Sequence, residues 1–347
     1  MDRAYKLLPL LSELELDAIL VTDRKNVLYF SGFSGSNGYL LITKTQKILV
    51  TDFRYTVQSK MQSPEFHIAE IKDFKIEEVL KAESRVGFEN KTISYSEYCL
   101  FSDKIKNMVA VDFALAEIRS IKDHKEIENI SYAAQISDKA FSHMLDFIHV
   151  GMTEYEVAFE LEMHLRSLGA SALSFESIIA SGENGAMPHA RPGSRRLTNG
   201  DLVVMDFGCV YNGYCSDMTR TIAIGDISQQ KLDVYNTVLK VQKECLAMAK
   251  PGAKCCDIHN HSFNELDSIY KGCYGHGLGH GVGLEIHELP NLNPRSDYIL
   301  EKGNIITVEP GVYIDGLCGV RIEDLVLITD NGCEILSNSA KELIKIQ

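Results

Sequence analysis

The sequence predicts a mixed α/β (α+β) protein built from two domains. Three observations carry this: a length of 347 residues, a first third in which short β-like runs alternate with helical ones, and a change of texture near residue 120. A chain this long exceeds what one ordinary core organises. The expected domains are 1–120 and 121–347.

In the first domain, the continuous apolar run within Asp17-Ala18-Ile19-Leu20-Val21-Thr22 reads as a buried strand. Tyr39 to Thr43 and Lys47 to Thr51 flank a polar turn, the pattern of a hairpin. From Ile121 onward, Ile127, Ile130, Ala134, Phe141, Met144, Leu145 and Ile148 keep helical spacing toward Val150-Gly151. Thr153 followed by Glu156 is a capping-box pattern, and the helix it opens carries Val157, Leu161 and Leu165 before stopping near Gly169. Beyond residue 171 the chain is rich in strands.

Composition narrows the function classes. Hydrophobic content of 45% and charged content of 24% fit a water-soluble globular protein. A formal charge of −13 argues against nucleic-acid or anionic-membrane partners, which require a basic surface. No apolar run reaches bilayer length, and the short N-terminal apolar stretch soon meets Glu13 and Glu15, unlike a signal peptide. Nine cysteines without a C-x-x-C pair read as reduced thiols, so a cytoplasmic location is expected.

Two strand pairs carry carboxylates. Leu202 to Gly208 and Cys215 to Thr221 flank Tyr211-Asn212-Gly213-Tyr214, and Asn-Gly is a strong hairpin signal. With Tyr211 paired to Tyr214, Asp206 lies opposite Thr219 and Asp217 is its diagonal neighbour on the same face, roughly 7–8 Å away. Two such acids on a buried face repel unless one keeps its proton or a divalent cation intervenes; on an exposed face they would simply meet water. The second pair runs from Asn304 to Glu309, through Pro310-Gly311 to Ile314, and returns from Val320 to Ile328. Glu309 and Glu323 share a face if the connection holds an odd number of residues, as the five from Asp315 to Gly319 do. A glutamate amid Ile, Val and Leu needs a partner or a metal.

Gly275-His276-Gly277-Leu278-Gly279-His280-Gly281-Val282-Gly283 places glycine at alternate positions, followed by His287. An H-x-x-x-H helix is disfavoured, since each interior glycine costs about 1 kcal/mol. An extended or bent backbone that lets something approach closely fits better.

These stretches resemble metallopeptidase family M24, the pita-bread fold shared by methionine aminopeptidase, aminopeptidase P and prolidase. The matching motifs occur in order over residues 174–324: Ser-Phe-Glu-Ser-Ile-Ile-Ala-Ser-Gly, the Asp206–Asp217 hairpin ending Thr219-Arg220-Thr221, Gly-His-Gly-Leu-Gly-His-Gly, Val-Glu-Pro-Gly-Val-Tyr and Val-Arg-Ile-Glu-Asp. Asn26 to Ser36 and Thr51 to Tyr55 resemble the creatinase-like N-terminal domain of prolidase and aminopeptidase P. Methionine aminopeptidases lack that domain, and creatinase lacks the ligand set, so the resemblance implies Xaa-Pro cleavage.

Carried over by motif, the resemblance implies two divalent ions: Asp206 on one, Asp217 and Glu323 bridging, His280 and Glu309 on the other. Manganese is the expected metal, with cobalt, zinc and iron also compatible. His189, His287 and Glu309 are the implied catalytic residues around a metal-bridging hydroxide, and His276 a substrate-side histidine. Tyr313 and Arg321 are candidates for shaping the substrate pocket. Arg295 is a candidate for gripping a free proline carboxylate. The expected function is an Xaa-Pro aminopeptidase acting on proline-containing peptides. Xaa-Pro dipeptidase is the alternative, and a non-catalytic binding protein of the same fold a third. A homodimer or higher homo-oligomer is implied by the resemblance.

Overall fold

The apolar run read as a buried strand forms β1 (Ala18–Val21), inaccessible to solvent at all four residues. In the computed structural model, which describes residues 3–347, chain contacts separate two units between Ile118 and Arg119. In the N-terminal unit, β1 pairs with β2 (Gly38–Thr43), which turns back antiparallel into β3 (Lys47–Thr51), the predicted hairpin. Three parallel additions, β4 (His67–Glu70), β5 (Arg85–Phe88) and β6 (Asn107–Ala110), complete a sheet ordered β4-β3-β2-β1-β5-β6. Ala18 and Leu20 share a core with Leu41, Ile48 and Val50. Beyond β5, the buried Glu89 carboxylate accepts the N–H groups of Thr22 and Asp23, at 2.6 and 2.8 Å, pinning the end of β1.

In the second unit, Asp123 and Glu126 form a capping box that opens the helix His124–Phe147, and the predicted Thr153–Glu156 box opens Glu154–Ser167. Small strands β7 (Ala172–Leu173), β10 (Cys209–Tyr211) and β11 (Tyr214–Cys215) form one ribbon. The two helices pack on the sheet of β8 (Ile178–Ser181), β9 (Leu202–Phe207), β12 (Met218–Ile224) and β20 (Lys345–Ile346). Val203, Met205 and Phe207 of β9 and Ile222 and Ile224 of β12 enter that helix-side core. Strand alternation therefore turns Asp206, Asp217 and Thr219 to the other face.

The C-terminal half repeats this plan. Helices Gln229–Met248 and Cys255–Ile269 share a core with Ile306 and Val308 of β15 (Ile305–Val308) and Val326 and Ile328 of β18 (Asp324–Ile328). The sheet is completed by β13 (Gly279–Gly281), β14 (Glu288–Leu292) and β19 (Cys333–Ile335), in the order β14-β13-β15-β18-β19. The ribbon β16 (Gly311–Ile314) and β17 (Cys318–Arg321) carries the turn. Ile314 pairs with Cys318, so the loop is the three residues Asp315 to Leu317 and not the predicted five. Gly316, at φ 68°, takes the left-handed conformation that closes so short a loop. Both lengths are odd, so the face shared by Glu309 and Glu323 is unchanged.

The glycine-spaced segment is extended and bulged, as its composition predicts. A Cβ on Gly279 would stand 2.1 Å from the Thr307 carbonyl oxygen, and one on Gly281 2.1 Å from that of Leu289. What approaches these glycines is the backbone of neighbouring strands. Gly279→Ala and Gly281→Ala should each cost about 1–3 kcal/mol through overpacking, read as a lowered Tm in thermal denaturation. Gly275→Ala, with no atom within 4 Å of its added carbon, should leave the Tm unchanged; equal behaviour of all three would contradict the close-approach account.

Candidate metal centre

Two registers bring the acids together. Asp206 pairs with Thr219 across β9 and β12, and Asp217 sits two residues before Thr219 on the same face. Val308 pairs with Asp324 and Gly311 with Arg321, which places Glu309 opposite Glu323. The two hairpins are then tied to each other. The Glu323 N–H donates to the Thr219 carbonyl at 3.1 Å, and the Thr221 hydroxyl donates to the Arg321 carbonyl at 2.9 Å. A buried ion pair between Arg220 and Asp324, 2.8 Å long, backs this seam, and Gln242 and Lys341 also donate to Asp324.

Within the site, His280 Nε2 lies 3.5 Å from Asp217 Oδ2 and 3.4 Å from Glu309 Oε1. His280 Nδ1 is 3.1 Å from the Gly281 carbonyl, which can only accept, so the ring proton sits on Nδ1 and the lone pair of Nε2 faces the acids. One donor atom each of Asp217, His280 and Glu323 falls within 4.8 Å of the other two. Hydroxyls orient the glutamates: Thr219 donates to Glu323 Oε2 at 2.7 Å and Thr307 to Glu309 Oε1 at 3.2 Å. The Arg321 guanidinium donates to Asp206 Oδ2, to the Tyr313 hydroxyl at 2.7 Å, to the Thr219 hydroxyl and to the Pro188 carbonyl.

The electrostatics favour a cation. Burial, reinforced by the neighbouring acids, pushes the Asp217 and Glu323 carboxyls well above the carboxylate range and Glu309 up to about 8. Burial pushes His280 down to about 4, so its imidazole is neutral and available as a donor. Asp206 Oδ1 and Glu323 Oε1 are buried without a hydrogen-bond partner. Carboxylate oxygens left bare beside a neutral imidazole nitrogen match divalent ions of the Mn²⁺ to Zn²⁺ group, which take mixed oxygen and nitrogen ligands. The residues present fit such ions.

These groups line a cavity of about 650 Å³ that also reaches His189, His276 and His287. The His287 ring lies edge-on to His280, 4.3 Å between centroids. Burial, and after it the neighbouring His189, hold the His287 imidazole toward its neutral form. His276 accepts from the Tyr313 hydroxyl at 2.9 Å while its Nδ1 donates to the Gly277 carbonyl, and burial pushes it down to about 4. Tyr313 and Arg321 are thereby bound into one chain of hydrogen bonds that ends on Asp206. Arg295 is not brought into this cavity: it is exposed and lines a neighbouring one of about 690 Å³, which shares His276, Gly277, Asn291 and Asn293 with the first.

Two supports have no counterpart in the sequence reading. Glu154, fully buried, accepts from Ser181, Asn184 and the Gly193 N–H, folding the loop that presents His189. Glu288, next to His287, is ion-paired with Arg119 and Lys122. An acid in a first helical turn ordinarily signals the helix itself, which is why Glu154 gives no sign of this role.

The sequence model of metallopeptidase family M24 matches residues 128–330, and that of the creatinase/prolidase N-terminal domain matches residues 3–121. The Xaa-Pro dipeptidase of Pyrococcus furiosus is 38% identical, with 99% of each chain covered. A solved Xaa-Pro dipeptidase from Bacillus anthracis superposes with a TM-score of 0.94 at 39% identity, covering 99% of this chain and 98% of its own. An X-Pro aminopeptidase structure from Thermotoga maritima MSB8 gives a TM-score of 0.90 at 35% identity over the full length of both.

Because Asp217 and Glu323 keep raised pKa values in the folded metal-free chain, that state binds more protons than the unfolded one, and its stability falls as pH rises above the unfolded carboxylate range. In EDTA, Asp217→Asn and Glu323→Gln should therefore raise the Tm, by roughly 3 °C or more at pH 8 and by less at pH 5. Both should lose divalent-ion binding in equilibrium dialysis. A lower Tm at pH 8 would contradict the crowding of acids described above.

Proposed function

We propose, because the chain belongs to metallopeptidase family M24, that it is a metal-dependent Xaa-Pro dipeptidase, releasing free proline from dipeptides. The observation that carries this reading is the convergence of Asp206, Asp217, His280, Glu309 and Glu323 on one cavity wall, with two buried carboxylate oxygens unpartnered. Asp206, Asp217 and Glu323 would hold one ion and Asp217, Glu323, His280 and Glu309 the other, Asp217 and Glu323 serving both. When bound, such ions act as Lewis acids that acidify water and polarise a carbonyl oxygen.

The chain's own residues supply the rest. The Arg321 guanidinium holds Asp206 Oδ2 in place, and the Thr219 and Thr307 hydroxyls fix the rotamers of Glu323 and Glu309. Glu309, beside His280 at the cavity wall, is placed to take a proton from the attacking water and pass it to the departing nitrogen. The neutral imidazole of His287 can donate or accept without adding charge, His276 is occupied by Gly277 and Tyr313 and shapes the wall, and His189 and His287 face the same space as the scissile group would. A peptide bond to proline has no N–H, so its recognition rests on ring shape and on these side chains.

The sequence alone leans toward an aminopeptidase. The dipeptidases of Pyrococcus furiosus and Bacillus anthracis, alike over nearly the whole chain, favour the alternative. The Thermotoga likeness keeps the aminopeptidase as the second reading. Two arginines line the cavity. Arg321 is buried on Asp206, whereas Arg191 is exposed and its partner, Glu176 at 3.3 Å, is exposed too, so Arg191 is the cation able to exchange that partner for a free proline carboxylate in the role offered to Arg295.

With Mn²⁺ supplied, kcat/KM for Ala-Pro should exceed that for Ala-Pro-Ala by at least about tenfold, some 1.4 kcal/mol of discrimination. EDTA should abolish both activities and Mn²⁺ restore them. A preference for Ala-Pro-Ala would return the assignment to aminopeptidase, and inactivity of the metal-loaded protein on both would point to a binding role. Arg191→Met should raise KM for Ala-Pro about tenfold with little change in kcat; an unchanged KM would free Arg191 from that role.

A further inference from the structure

A second group of metal-binding side chains stands apart from the cavity. His143 projects from the helix His124–Phe147, and Glu160 and His164 project from the helix Glu154–Ser167 at positions i and i+4, one above the other on a single face. One donor atom of each residue lies within 4.8 Å of the other two. His143 Nε2 is 2.7 Å from Glu160 Oε1, and the imidazoles of His143 and His164 stack with centroids 3.9 Å apart and planes only 5° from parallel. None of the three lines the cavity that holds the family's carboxylates.

We propose that His143, Glu160 and His164 form a separate, structural site for a borderline divalent cation such as Zn²⁺. Two imidazoles and a carboxylate are a donor set Zn²⁺ accepts, with the remaining position open to water. The side chains are about one-third exposed, 33% for His143 and 30% for Glu160, so an ion can reach them and they can turn to meet it. Their stems are not free to wander. Met144, Leu161 and Leu165, adjacent to them on the same helices, are buried in the core that seats both helices on β9 and β12. Burial and the nearby His143 also hold His164 toward the neutral form that ligation requires. An ion here replaces the proton between His143 Nε2 and Glu160 Oε1, so binding releases that proton to solvent. It links the two helices on their outer side, opposite the sheet whose other face carries Asp206 and Asp217.

The test counts ions on the full-length protein equilibrated with Zn²⁺. Wild type should hold one more Zn²⁺ per chain than His164→Ala or Glu160→Gln, and the Asp217→Asn/Glu323→Gln double variant should retain that one ion after losing those of the carboxylate centre. Zn²⁺ should also raise the Tm of the double variant, and the rise should vanish when His164→Ala is added. The Tm of each variant in EDTA reports whether it folds; should His164→Ala fail, Glu160→Gln carries the same comparison. Equal Zn²⁺ counts in wild type and in the folded variants would overturn the site and leave a hydrogen-bonded histidine stack.

Discussion

Four carboxyl groups, largely buried, crowd one wall of the cavity, and the fold of the second unit has to answer their mutual repulsion. Two unit charges 4 Å apart at an effective dielectric of 20 differ in energy by about 4 kcal/mol from the same charges far apart. The chain offers these acids the Arg321 guanidinium, which is spent on Asp206, and two threonine hydroxyls, which turn the glutamates without neutralising them. Protons cover the remainder in the metal-free protein, as the raised affinities of Asp217, Glu309 and Glu323 record. Cations do the same more completely, because they also satisfy the bare oxygens of Asp206 and Glu323.

The backbone meets this requirement by parity. In β9 and β12, Val203, Met205, Phe207, Met218, Ile222 and Ile224 enter the core under the first helix pair, and in β15 and β18, Ile306, Val308, Val326 and Ile328 enter the core under the other. The acids occupy the alternate positions, so each faces away from the helix pair that its own strands cover. Thr219 lies two residues after Asp217 and Thr307 two before Glu309, so each orienting hydroxyl shares a face with the acids by the same count. A slip of one residue in either hairpin would send its acids into the apolar cores, at a cost of several kcal/mol for each charge. The Arg220–Asp324 pair and the Thr221 hydroxyl at the seam hold the hairpins to this alignment.

Much of this arrangement was legible because it obeys short-range rules. Asn212-Gly213 fixes a two-residue turn, and the pairing of Asp206 with Thr219 follows from counting outward from it. The alternate glycines announce a close approach, which the Thr307 and Leu289 carbonyls provide. The second turn was misjudged by two residues, since Cys318 and Gly319 join the strand, yet the face survived because only odd or even matters. What stayed hidden depends on residues far apart in sequence. Nothing near Glu154 says that its carboxylate leaves the helix to gather Ser181, Asn184 and Gly193. Arg295, three residues beyond the end of β14 at Leu292, reads as close to His287 but is carried into the adjoining cavity. Glu160 and His164 announce a shared helical face, while their third member, His143, is supplied by the packing of another helix.

The histidines explain why the acids remain available to an external ion. A protonated His280 could neutralise Asp217 or Glu309 internally, since both lie within 3.5 Å of its Nε2. That solution would fill the lone pair and close the centre. Burial prevents it, holding His280 at about 4, and the Gly281 carbonyl takes the one proton the neutral ring carries. His276 is restrained in the same way by burial and by Gly277, with the Tyr313 hydroxyl donating to its other nitrogen. Each carbonyl belongs to the glycine that follows its histidine, so the repeated His-Gly pairs serve two ends: the glycine lets a neighbouring strand pass close, and its carbonyl fixes the ring proton on the side away from the acids. The three acids that Arg321 does not meet are thus left to protons rather than to the protein's own imidazoles, and an ion that displaces those protons meets a lone pair and bare oxygens already oriented.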